Sequence, residues 1–106
     1  MANSYKIVVF APESHADEVR KAMGDAGAGR IGAYSYCTFS TKGVGRFRPG
    51  AGARPAIGEV GRDEAVAEER IETVCAAERL QATLAAIRSS HPYEEPAIDV
   101  YPLADV

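Results

Sequence analysis

The feature that most restricts the fold of this chain is the order in which the spacing of its apolar residues changes. YKIVVF at 5–10 is short, β-branched and aromatic, and reads as a strand buried on both faces. From Ser14 the spacing becomes helical, with Ala16, Val19, Ala22, Met23 and Ala26 on one side. Ser14 followed by Asp17 makes a capping-box-like start, and Gly27 supplies the stop, because glycine takes the left-handed conformation without a Cβ clash. YSYCTFST at 34–41 reads as a second strand and ERIETVC at 69–75 as a third. Alternation in the third puts Ile71, Thr73 and Cys75 on one face and Arg70, Glu72 and Val74 on the other. Leu80, Leu84 and Ile87 mark a second helix, which must end by His91 because Pro92 disfavours helical geometry in the residue before it. AIDVYPL at 97–103 closes the chain as a fourth strand.

Strand, helix, strand, strand, helix, strand is the split βαβ, ferredoxin-like order. It predicts an α+β fold in which a four-stranded antiparallel sheet carries both helices on one face, since both crossovers are right-handed. The other face, with Tyr36, Thr38 or Arg70 on it depending on register, is left open. A half-apolar open face of this kind predicts association with further copies of the chain. The length of 106 residues suits one domain, 1–106, with a core large enough to need no staples.

Composition removes several classes of function. A net charge of -3 argues against nucleic-acid binding, which favours a basic surface. The opening MANSYKIVVFAPES holds only IVVF as an unbroken apolar run, too short for a secretory or membrane-spanning segment, so a cytoplasmic protein without membrane partners is expected. Cys37 and Cys75 lie far apart without CxxC spacing and read as free thiols.

Between the second and third strands lies a stretch that the fold does not require. Residues 42–67 hold six of the ten glycines and two prolines, and read as an extended hairpin insertion in which VGRF and IGEVG are possible short strands. From 26 to 58 there is no acidic residue, while Arg30, Lys42, Arg46, Arg48 and Arg54 are all present. Arginines near glycine-rich backbone suit a phosphate or carboxylate; the alternative is a solvated loop. GAGRIG at 27–32 matches G-x-G-x-x-G, but it follows a helix and precedes a strand, the reverse of a dinucleotide-binding loop. Its glycines are therefore expected to stop the helix and make turns.

HPYEEP at 91–96 is the densest cluster of chemistry-bearing residues. A β-turn with proline second would bring the Cα atoms of His91 and Glu94 within about 7 Å, so imidazole and carboxylate can act together. Glu95, restrained by Pro96, points elsewhere in an extended segment. Such ligands suit a divalent metal such as zinc, but tight sites use three or four, and the remainder must come from Glu59, Glu72, Cys37 or another subunit. The competing interpretation is structural: the prolines fix the entry to the last strand, Tyr93 packs, and the polar groups find hydrogen bonds.

YKIVVFAPESHADEVRKAM, GAGRIGAYSYCTFSTKGVGRFRP, IGEVG, ERIETV and HPYEEPAIDVYPL together resemble the small domain inserted in many bacterial members of the NGG-interacting-factor-three-like family. That domain is related in shape to CutA and the PII signalling proteins. The resemblance implies a CutA/PII-like fold that assembles as a trimer with sheets packed inward and clefts between subunits, here in a stand-alone version. Family members tend to carry an aromatic where Ile98 stands. The family's dinuclear metal site lies in the larger domain, and this chain, with two histidines in total, does not supply it. The function expected is thus a non-enzymatic, cytoplasmic homo-oligomeric module binding a metal ion or small anion at subunit boundaries. His91, Glu94 and Glu95 are the metal candidates, and Arg30, Arg46, Arg48, Glu59 and Tyr93 the ligand-binding ones. A regulatory domain whose partner is a protein is the alternative, and a metal-dependent hydrolase comes third.

Overall fold

The structure is a computed structural model and describes residues 2–106. Its elements run β1 (Ser4–Pro12), α1 (Ala16–Asp25), β2 (Phe39–Phe47), β3 (Glu64–Ala76), α2 (Leu80–Ser90) and β4 (Ile98–Pro102). The sheet order is β2-β3-β1-β4 and every neighbouring pair is antiparallel, as the ferredoxin-like order requires. Each helix is entered through one 3₁₀ turn, Glu13–His15 and Ala77–Arg79.

Register fixes which residues make the core. Ile7, Val9 and Ala11 of β1 lie beside Ile71 and Cys75 of β3, and the face they form receives Ala16, Val19 and Met23 of α1 and Ile87 of α2. Burying a side chain the size of Ile87 contributes roughly 2–3 kcal/mol, so these few contacts set the positions of both helices. Thr83 sits fully buried on the same side of α2, because its Oγ1 donates to the Arg79 carbonyl at 2.8 Å and leaves no unmet polar group.

Three boundaries differ from those read in the sequence. Residues 34–38 are not strand: an isolated bridge joins Ile31 to Tyr34, and Tyr36 adopts φ +58° with its hydroxyl donating to Asp25 at 2.6 Å. Within the insertion, 42–47 and 64–67 are strand, so VGRF extends the hairpin as expected, whereas IGEVG is turn and bend. The capping box at Ser14 is not formed, since its hydroxyl pairs with His15 Nδ1 at 2.8 Å and the chain enters α1 through the 3₁₀ turn. The glycines of GAGRIG do act as turn residues: Gly27, Gly29 and Gly32 all have positive φ.

The face opposite the helices is less bare than expected. Cross-strand pairing places Phe39, Glu72, Val8 and Asp99 in one row across it, with Arg70 and Lys6 alongside. Val8 is only 1% exposed even in the single chain. Arg70 lies 5.6 Å from the centre of the Phe10 ring and 3.6 Å from Glu72. Large apolar surface remains toward the edges, where Phe39 is 67% and Tyr101 48% exposed. Tyr36 is not on this face at all.

Candidate functional site

The chain between α2 and β4 is shaped by one buried imidazole. His91 ends α2 with its N–H on the Ile87 carbonyl at 2.9 Å, then turns extended as Pro92 dictates. Its ring points inward: Nε2 lies 2.7 Å from the Phe10 carbonyl oxygen and Nδ1 lies 3.1 Å from the Tyr93 backbone nitrogen. A carbonyl only accepts and an amide N–H only donates, so the ring is neutral, protonated at Nε2, with both nitrogens occupied. Burial pushes its pKa down from the usual 6.5, against the opposing pull of the Phe10 carbonyl and Glu68. His91 therefore ties α2, β1 and the HPYEEP turn together.

Tyr93 stands next to it, its ring 4.9 Å from that of His91 and 5.8 Å, edge-on, from Phe47 of the hairpin. The Tyr93 hydroxyl donates to Glu68 Oε2 at 2.9 Å, and burial together with that bond holds the phenol well above its usual range of ionisation. Glu68, 7% exposed, belongs to β3 on the open face. It has room because Gly45 stands close by on β2, where a Cβ would fall 2.0 Å from Oε1.

Over these groups the hairpin loop, 48–63, folds back toward the turn. Glu94 accepts a hydrogen bond from the Arg54 backbone N–H at 2.7 Å, latching loop to turn, and Arg48 donates to Asp63 across the loop at 2.5 Å. Between them lies a largely apolar groove of about 410 Å³, with Phe10, Phe47, Arg46, Glu68, Tyr93 and Glu95 among its walls. Concave apolar sites with a few convergent polar groups are the usual form of a small-ligand site.

The structure divides the residues singled out in the sequence. Arg46, Arg48, Tyr93, Glu94 and Glu95 converge on this groove. Arg30 does not: it borders a separate cleft at the Ser4 end of β1, beside Gly27 and Arg79, about 20 Å from the Phe10 end by strand geometry. Glu59 is held in the loop by Arg62 at 3.4 Å and does not reach the groove. The metal set of His91, Glu94 and Glu95 is not assembled within the described chain. The imidazole is turned inward with both nitrogens engaged, Glu94 faces the loop, and among the described residues no three His, Cys, Asp or Glu side chains are placed to hold an ion. Cys37 and Glu72 do not complete it either: the Cys37 thiol lies against the Ser35 carbonyl at 3.8 Å, and Glu72 lies with Arg70. Glu68 was missed in the sequence, where it sits in a run of charge. Its signal is parity, since it continues the Arg70, Glu72, Val74 face of β3.

The architecture is shared with known structures. CutA from Xylella fastidiosa superposes over 99% of this chain and 88% of its own with TM-score 0.72 at 16% identity. Arabidopsis thaliana PII bound to citrate superposes over 100% and 80% with TM-score 0.65, also at 16% identity. At such identities the likeness concerns the fold alone, and it places the chain in the CutA/PII-like class. The sequence relationship is closer elsewhere. A Bacillus cereus protein related to NIF3 superposes over 98% of this chain with TM-score 0.84 and 50% identity, and the GTP cyclohydrolase 1 type 2 homolog of Halalkalibacterium halodurans is 54% identical over 101 residues, 95% of the chain. The chain is thus similar in sequence and fold to one segment of these longer proteins. It spans about a quarter of the length of these relatives, 26% of the first and 27% of the second. No family model matches the chain.

Proposed function

We propose that this chain is a non-enzymatic, self-associating cytoplasmic module that takes a small anionic ligand in the groove between the hairpin loop and the HPYEEP turn. The observation that carries this reading is the latch between Glu94 and the Arg54 backbone, which closes a 410 Å³ groove with Arg46 and Arg48 among its lining residues. Arginines beside a glycine-rich loop suit a carboxylate or phosphate. Copies are proposed to meet through the open face, where Phe39 and Tyr101 leave aromatic surface uncovered. No helix among the described residues is long and apolar enough to cross a membrane.

Two measurements on the purified chain test this. In a thermal-shift panel, small carboxylates and phosphates raise the melting temperature and Arg46→Ala abolishes the rise; a panel that shifts nothing counts against the groove. Light scattering at micromolar concentration gives a multiple of 11.3 kDa, reduced by Phe39→Glu. A wild-type mass equal to one chain contradicts the self-association.

A further inference from the structure

The floor of the groove holds a carboxylate that anion binding does not use. Glu68 is 93% buried, since 7% of it is exposed, yet it makes no ion pair among the described residues: those of its neighbours on β3 use Glu69, with Arg20, and Glu72, with Arg70. Its Oε2 accepts from Tyr93, and its Oε1 has no hydrogen-bond partner among the described residues. Every fully enclosed side-chain polar atom among those residues does have one, so Oε1 must open to the groove that Glu68 lines. A carboxylate oxygen that faces an apolar groove with no donor of its own is a ready acceptor for a ligand bearing N–H donors.

The surroundings narrow the class of donor. Phe10, Phe47 and Tyr93 present aromatic rings beside the carboxylate, and Glu95 adds negative charge among the lining residues. Aromatic faces attract cations, and a flat cation both stacks on them and presents paired N–H donors to a carboxylate. An ammonium is compact and strongly hydrated, so it fits an apolar recess less well.

We infer that Glu68 anchors a planar, N–H-donating cation of the amidinium or guanidinium class at the floor of the groove. This rests on the groove being a ligand site and deepens that proposal: the ligand carries such a head toward Glu68 and its anionic end toward Arg46. Gly45 is then a specificity-determining position, because its missing side chain is what leaves the carboxylate in place. Tyr93 is a positioning residue, fixing the carboxylate by occupying Oε2.

The test is a titration of the ¹⁵N-labelled full chain with benzamidine, a planar amidinium, and with benzoate, its anionic counterpart, followed by amide chemical shifts. Benzamidine is expected to move the Glu68 and Tyr93 amides saturably, while benzoate moves those near Arg46 and leaves these two in place. Glu68→Gln keeps an acceptor for Tyr93 and is expected to weaken benzamidine at least tenfold. Gly45→Ala, which pushes the carboxylate aside, weakens it comparably and serves if the first variant does not fold. Unchanged benzamidine affinity in a folded variant overturns the inference. Rim shifts with benzoate but none with benzamidine overturn it while leaving the groove proposal standing; no response to either probe overturns both.

Discussion

Replacing Gly29 by alanine is expected to destabilise the fold by about 3 kcal/mol, lowering its melting temperature by roughly 10 °C or more. Gly29 has φ +79°, where an L side chain is strained by about 1–2 kcal/mol. Space is the larger problem. A Cβ there would lie 2.7 Å from both the backbone nitrogen and the carbonyl oxygen of Cys37, and neither can move like the tip of a side chain. The segment is tied in place: Gly29 donates to the Val74 carbonyl at 2.7 Å, Cys37 donates to the Gly29 carbonyl at 2.9 Å, and the Thr73 hydroxyl donates to the Cys37 carbonyl at 2.8 Å. Any shift that admits a methyl group stretches these bonds, which bring the chain from α1 into β2. Gly32→Ala separates the two effects, because its φ of +57° is also left-handed but nothing lies within 4 Å of the added carbon. It is expected to lose about 1 kcal/mol. Equal losses in the two variants, by denaturant midpoint at matched protein concentration, would contradict the packing explanation.

His91→Ala is expected to lose about 2–4 kcal/mol, the sum of a cavity and two orphaned backbone groups. The Phe10 carbonyl and the Tyr93 amide both rely on this imidazole, and the ring also supports the Tyr93 ring. His91→Gln, whose amide can donate at one end and accept at the other, should recover part of the loss. The pH dependence has a definite sign. A histidine whose folded pKa is depressed contributes stability that is present above the unfolded value of about 6.5 and is lost as pH falls through the folded one. Wild type should therefore lose stability on acidification below about pH 6.5, and His91→Gln should show less of that dependence. A His91→Ala variant as stable as wild type would mean that the ring does not pin the turn.

The order of elements was legible because strands and helices here differ strongly in period, and the core residues Ile7, Val9, Val19, Met23, Ile71 and Ile87 fall where their spacing puts them. The second strand was not, for a reason visible in its residues. YSYCTFST has the composition of a strand, but the hydrogen bonds of Gly29 and Cys37 hold 34–38 in an irregular path outside the sheet. KGVGRF has the composition of a loop and is strand, because β3 offers it a long antiparallel partner from Glu64 to Glu69. Tertiary pairing overrides β propensity in both places. HPYEEP was legible as a special stretch, but the division of labour within it was not. Spacing shows that His91 and Glu94 are near one another; only the fold shows the imidazole turned to Phe10 and the carboxylate turned to Arg54. Glu68 gains its meaning from strand register, which sequence spacing alone does not set.

The central claim is that His91 builds the groove and does not itself bind within it. Long-range ¹H–¹⁵N correlation of the histidine rings measures this directly. The expected result is a neutral imidazole protonated at Nε2, which resists protonation as the pH falls below 6.5 and does not change when zinc is added. A ring protonated at Nδ1, or one whose nitrogens shift on addition of zinc, would contradict it.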